Sequence, residues 1–453
     1  MSVKIRTIKS FLLFTCTLLL AFAFPLQVMS SSTLPAVAPY ILLAIIFSLT
    51  KLQKPYSFKF RWNARKPIIF MISVYLSLLV FHTGWQTVLG FITLANGVSA
   101  IVNFFLPVLF FVYFRNIATN EELRIIFLAI SLAGLVIGVY FVYDSYSMLV
   151  LGKLNDYSIQ AFEYSQLRSP DLEVSESRIS VGYRSHGLLE NHAVSAAWIV
   201  IGCFSTLTLL LDGQRVKRGV VIALTGVTLL ISLNFTAIVG FVLLVFIFEG
   251  RGYKLLRGVI NMRLALLLTQ ILIAITVISL ASFKLVDAEY TDMIGVIYTN
   301  LSGQVSVASG STEIQGSTYL MRLLSAFISY PTDILVFPLG LLIGDGFSAF
   351  GMTKGGDYGI VETLHRFGLP FFVAIIYGLI KLVFRIFKQA ENVVPEQLLV
   401  MSYLWFGASV VTYILFTEIH YSVWSSKSML PILFVCLAIF DKYLYLPNPP
   451  HSK

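Results

Sequence analysis

The sequence predicts an all-α, polytopic integral membrane protein of about twelve transmembrane helices with two large loops on its outer face. Three observations predict it. Of 453 residues, 57% are hydrophobic and only 12% charged, about half the charged fraction of ordinary soluble domains. The apolar residues gather into runs long enough to cross a bilayer, which takes roughly 17 to 25 residues. The basic residues alternate between the connections that separate those runs.

The runs lie at 10–29, 34–50, 67–86, 91–114, 123–143, 189–211, 218–232, 234–249, 263–283, 367–386, 397–417 and 426–444. The stretch 219–248 is long for one span and short for two, and Asn234 and Thr236 are its polar break. Charge decides for a hairpin of two short spans. With the N-terminus inside, 23 of the 32 basic residues fall on the inner connections, and 16 of the 23 acidic residues fall outside. That is the bias of the positive-inside rule. A single span there would move the basic connection 251–263 to the outer face.

The first run also has the shape of a secretory signal, with Lys4, Arg6 and Lys9 before the apolar residues 11–26. A second span follows almost at once, which favours a retained helix.

Most connections have about 4 to 17 residues, but two on the outer face are far longer. The chain therefore divides into transmembrane helices one to five at 1–143, a first large loop at 144–188, helices six to nine at 189–283, a second large loop at 284–366, and helices ten to twelve with a short inner tail at 367–453. Long loops in a compact protein tend to be functional. The second holds an apolar stretch, 317–330, closed by Pro331 and expected as a surface or plug helix, then the turn Gly344-Asp345-Gly346-Phe347.

Other chemistry is not indicated. Cys16, Cys203 and Cys436 lie in apolar runs without a Cys or His neighbour at metal-ligand spacing, so neither a disulfide framework nor a zinc site is expected. The net charge of +9 records topology rather than nucleic-acid binding. No GxxxxGK[ST] phosphate loop occurs. No DxD-like motif marks the outer loops, so no metal and no cofactor are expected.

Two constellations stand on the outer face. The first runs from Arg178 through Arg184, His186 and Glu190 to His192 at the entrance of the sixth span. Guanidinium groups pair with phosphate through two parallel hydrogen bonds, so this segment suits a phosphate-bearing lipid. The alternative is a solvated loop whose arginines reach lipid headgroups. The second runs from Arg322 through Gly344 to Asp357, Glu362, His365 and Arg366. Glu362 and Arg366 are four apart on any helix, and the bland reading of them is a surface ion pair.

The order of these motifs resembles the O-antigen polymerase and O-antigen ligase superfamily: an arginine-bearing loop with Gly187 and Asn191-His192, a membrane hairpin, then a second outer loop with Arg322, Gly344-Asp345-Gly346 and Asp357-Tyr-Gly359…Leu364…Gly368-Leu-Pro370. The chain departs from the family in carrying Leu233-Asn234-Phe235-Thr236 where a Ser-Arg pair is frequent, and in lacking an arginine followed ten residues on by glycine in either loop. The Asp357-led motif is similar to polymerases rather than ligases.

The resemblance implies two large periplasmic loops, a bacterial inner-membrane location with both termini cytoplasmic, and glycosyl transfer between glycans carried on undecaprenyl pyrophosphate. Arg178, Arg184, Arg322 and Arg366, with His192, are then expected to bind substrate and stabilise the departing pyrophosphate. Glu362, Asp357 and His365 are expected to supply the base. The implied partners are the undecaprenyl-pyrophosphate-linked glycan, membrane lipid, a chain-length regulator and a flippase. Rival readings are a ligase that joins the glycan to lipid A core or another acceptor, a transporter or flippase of the lipid-linked sugar, and a membrane scaffold. A transporter is expected to carry ionisable groups inside its spans and a repeat between halves, whereas these spans are almost free of internal charge and no repeat is evident.

Overall fold

The computed structural model describes residues 2–53, 66–90, 92–151, 155–168, 187–210, 214–231, 235–249, 342, 344, 359–390, 398–418, 422–424 and 426–444. Among them the regular structure is helical throughout. Eight helices are long and apolar enough to cross a membrane. The chain is a multi-pass membrane protein.

The helices follow the apolar runs. α1 (Ser2–Ser30) and α2 (Leu34–Gln53) pack as a hairpin, joined through Ser31 in the left-handed region at φ 51°. α3 (Pro67–Val88) begins on a proline, which is at home in a helix's first turn. The fourth predicted span is two pieces, α4 (Leu94–Phe105) and α5 (Val108–Asn116), broken at Leu106-Pro107 because proline cannot continue the hydrogen-bond ladder.

α6 (Asn120–Leu151) starts in a capping box. Glu122 N donates to Thr119 Oγ1 at 3.3 Å, and Thr119 N donates to Glu122 Oε2 at 2.9 Å. The helix runs well past its predicted end at 143. The segment predicted as the first outer loop therefore starts as helix, and a further helix, α7 (Asp156–Arg168), lies within it.

α8 (His192–Leu209) is capped by Asn191, whose Oδ1 accepts from Val194 N at 2.9 Å. The predicted hairpin is α9 (Arg215–Ile231) against α10 (Phe235–Leu244), which ends in a π-turn at Val245–Glu249. Its turn and Asn234 lie outside the described residues, as does the predicted span 263–283. After α11 (Gly359–Phe367) come α12 (Leu369–Ala390), α13 (Leu398–Thr417) and α14 (Met429–Tyr443).

The central contact is α6 on α8. The two cross at a glycine pair so close that a Cβ on Gly134 would stand 2.7 Å from Gly202 Cα. Ser205 Oγ donates across the crossing to Phe127 O at 2.7 Å. Small residues that admit close backbones, with hydroxyls bonding across, are how membrane helices associate when burial offers no gain over lipid. Outward, α12 turns Leu369, Val373, Tyr377, Ile380 and Phe384 away from the bundle, a stripe that suits acyl chains.

One end of the bundle is held by charge. Lys9 pairs with Glu122 at 2.6 Å while lying over the Tyr113 ring, and Asp441 takes Arg115 Nε at 2.6 Å and Lys66 at 3.5 Å. Tyr403 and Tyr443 both donate to Asn120. From Tyr403, α13 climbs fifteen residues to Glu418, about 22 Å along a helix axis. The second polar centre lies there.

Candidate active site

α11 is short, so its ends decide where its side chains point. At its start, Ile360 N donates to the backbone carbonyl of Glu418, which ties the helix to the end of α13. At its end, Gly368 takes φ +72° and donates from N to Leu364 O at 2.9 Å, the left-handed stop that favours glycine. Gly344, also left-handed at φ +78°, packs against that stop, and a Cβ on Gly368 would stand 2.6 Å from Gly344 N. The glycine turn of the second loop and the motif that ends in Gly368-Leu-Pro370 thus meet backbone to backbone.

Glu362 stands in the first turn of α11, and His365 and Arg366 stand in the last, each on the side the helix dipole favours. Arg366 Nη2 bonds Glu362 Oε1. This is not the solvated pair that a surface reading supposes. The Arg366 side chain is 1% exposed and that of Glu362 14%, so the carboxylate forms the accessible edge and the guanidinium lies behind it. His365 is buried as well.

Behind Arg366 is a second carboxylate. Glu418, 4% exposed, accepts from Val423 N at 2.9 Å and Trp424 N at 3.2 Å on Oε1, and from Thr363 Oγ1 at 3.1 Å on Oε2. Trp424 Nε1 donates to the same Thr363 hydroxyl at 2.9 Å. The Trp424 ring stacks on Phe367 at 5.6 Å and receives the Arg366 guanidinium 5.4 Å from its centroid.

Burial pushes the Glu418 carboxyl up to about 8; Glu362 adds to the rise, while Trp424 N, Arg366 and Thr363 oppose it. Burial also lowers the Arg366 guanidinium from its usual range, against the raising effects of Glu362, Glu418 and Tyr75 of α3. One cation paired with one acid and electrostatically coupled to a second in a dry site is a costly arrangement, of the kind found where ionisable groups work.

Neither a protein-family model nor a curated protein matches the chain. Its chemistry has to be read from the residues.

Of the sequence-predicted residues, the structure joins Glu362, His365 and Arg366 on one turn-and-a-half of helix. His192 opens α8. That helix reaches the same neighbourhood through Trp198, whose Nε1 donates at 3.1 Å to Ser428 Oγ in the connection that Glu418 holds. Arg178, Arg184, Arg322 and Asp357 lie outside the described residues. Among the described residues no three His, Cys, Asp or Glu side chains gather as metal ligands.

The sequence reading passed over Glu418, Thr363 and Trp424, although a lone acid that closes an apolar run, with a tryptophan six residues on, is a visible signal. It also passed over Asp144. That carboxylate is 0% exposed. Its Oδ1 accepts from Asn155 Nδ2 and from Ser158 Oγ at 2.8 Å, and its Oδ2 from Gly187 N at 3.2 Å. Gly187 has φ +77°, and a Cβ there would lie 2.7 Å from Ser195 Cβ and 2.8 Å from the Phe141 ring. Asp144 thus fastens the two ends of the predicted first loop, its contact Gly187 standing three residues after Arg184 in the sequence. Interior polar groups are more numerous than the hydropathy profile implies, for His82 and Gln86 of α3 are buried too.

Proposed function

We propose that the chain is a polymerase of undecaprenyl-pyrophosphate-linked oligosaccharide repeat units, acting at the outer face of a bacterial inner membrane with both termini in the cytoplasm. The observation that carries this reading is the buried Arg366–Glu362 pair, backed by Glu418, at the end of the bundle opposite the Lys9–Glu122 and Arg115–Asp441 pairs. The order of the motifs around it supports the same reading, and the sequence bias of 23 basic residues to the other side makes its end the outer one.

In the proposed reaction a sugar hydroxyl of one lipid-linked repeat unit attacks the anomeric carbon of the growing glycan. The bond from that carbon to the pyrophosphate oxygen breaks, the electron pair leaves with the pyrophosphate, and the hydroxyl proton passes to a carboxylate. Glu362, at the accessible edge, is the base. Arg366 behind it meets the charge that develops on the leaving group, an effect that is strong in a site poor in water. Arg178, Arg184 and Arg322 add positive charge from the two loops, with His192 at the entrance of α8. His365 and Asp357 are the further acid–base groups. Pyrophosphate release drives the transfer without another energy source.

The test deletes the gene and resolves the surface polysaccharide by gel. The expected result is loss of the chain-length ladder with a single repeat unit still on its acceptor. Loss of all attached glycan, with long polymer kept on the carrier lipid, would instead indicate a ligase. Repeat units trapped on the inner face would indicate a flippase.

A further inference from the structure

Arg366 faces two carboxylates that are held very differently. Glu362 shares its helix, is the accessible member, and is joined to Arg366 by a single carboxylate oxygen. Glu418 cannot swing. Both of its oxygens are occupied, Oε1 by Val423 N and Trp424 N and Oε2 by Thr363 Oγ1. The same Thr363 hydroxyl takes the Trp424 indole, and the Trp424 ring is the surface on which the guanidinium lies. Loss of Glu418 would therefore disturb the floor beneath Arg366 as well as its charge.

We infer that Glu418 is the positioning residue of the site: it fixes Thr363 and Trp424 beneath Arg366 and itself stays in place there, so that an anionic ligand exchanges with Glu362 alone. This rests on the function proposed above. An entering pyrophosphate then frees the Glu362 carboxylate at the moment a base is needed, while Arg366 keeps its place.

The arrangement has a consequence in pH. With all three groups ionised, one cation is set against two anions and the cluster is net negative; with Glu418 protonated it is neutral and more receptive to an anion. The ionisable groups that act on Glu418 are Glu362 and Arg366 of α11, and Tyr75 of α3 acts in turn on Arg366. Glu418, raised to about 8, is the one placed to change charge just above neutrality. Anion binding at Arg366 should weaken as Glu418 ionises.

The experiment titrates undecaprenyl pyrophosphate, which needs no knowledge of the sugar, into the purified full chain in lipid nanodiscs between pH 6.5 and 9.5. Binding is read by tryptophan fluorescence, with Trp424→Phe as the control that identifies the reporting ring. For the native chain the affinity is expected to fall about tenfold more between pH 7 and 9 than for Glu418→Gln, a change on the order of one pKa unit. The ligand's own ionisation is common to both and cancels in the comparison.

Thr363→Val supplies a second reading should Glu418→Gln fail to assemble. It removes a hydrogen bond to the charged form, so the midpoint should move to higher pH. The native pH profile kept in Glu418→Gln, or an unshifted midpoint in Thr363→Val, would overturn the inference and leave the proposed function standing. Absence of binding by the native chain at every pH would overturn both.

Discussion

Replacing Arg366 by alanine separates what the guanidinium does for the fold from what it does for chemistry. Its side chain is 1% exposed, and its removal leaves Glu362 without its partner and takes the nearby positive charge from Glu418. Breaking a buried ion pair from one side costs about 3 to 5 kcal/mol, because the partner charge is stranded. Here the lower end applies. Glu418, raised to about 8, is mostly protonated at neutrality, so chiefly one charge, that of Glu362, is stranded. About 3 kcal/mol is a factor on the order of 100 in the folding equilibrium.

The assay is reversible unfolding in mixed micelles, run beside membrane-level immunoblots and the polysaccharide ladder. The triple variant Arg366→Met with Glu362→Gln and Glu418→Gln leaves no charge at the site and should regain most of that stability. It should still make no polymer. Unfolding of Arg366→Ala within about 0.5 kcal/mol of native would refute the buried-pair reasoning, since surface pairs contribute that little. A ladder made by the triple variant would refute the catalytic reading.

Three further outcomes are expected. Asp144→Ala strands Gly187 N, Ser158 Oγ and Asn155 Nδ2 and should cost about 3 kcal/mol in the same unfolding assay, with Asp144→Asn costing distinctly less; equal stability in both would remove the loop-anchor role. Gly202→Leu forces α6 and α8 apart, for a Cβ there already stands 2.8 Å from Gly134 Cα; it should destabilise by about 2 kcal/mol or more, whereas Gly84→Ala, with open space around it, should change stability by under about 1 kcal/mol. Because Cys16, Cys203 and Cys436 are all buried, single added thiols report topology cleanly: Thr33→Cys should react with an impermeant maleimide on intact cells and Gln214→Cys should not, and the reverse pattern would invert the assignment of faces.

The all-helical, multi-pass class was legible from composition and hydropathy alone. Hydropathy is a local sum, so the helices over 34–53, 67–88, 192–209 and 398–417 follow the apolar runs closely. The spacing of Glu362 and Arg366 was legible, since four residues place two side chains on one face of any helix, but the helix itself falls in a stretch read as loop. The capping box at Thr119 and Glu122 is local too, but the extension of α6 to Leu151 was not legible, because its last two turns are held by Asp144 reaching Asn155, Ser158 and Gly187.

Only the tertiary structure decided that the Arg366 pair is buried rather than solvated, and which residues complete it. Glu418 and Trp424 are 52 and 58 residues from Arg366 along the chain, on the far side of two helices, and no pattern in the intervening sequence links them. A short span gives each residue its depth in the bilayer, but not the direction in which it faces or the partner it meets. Those follow from helix packing, here from the glycine crossing of α6 on α8 and from the connection after α13 that turns Trp424 under the guanidinium.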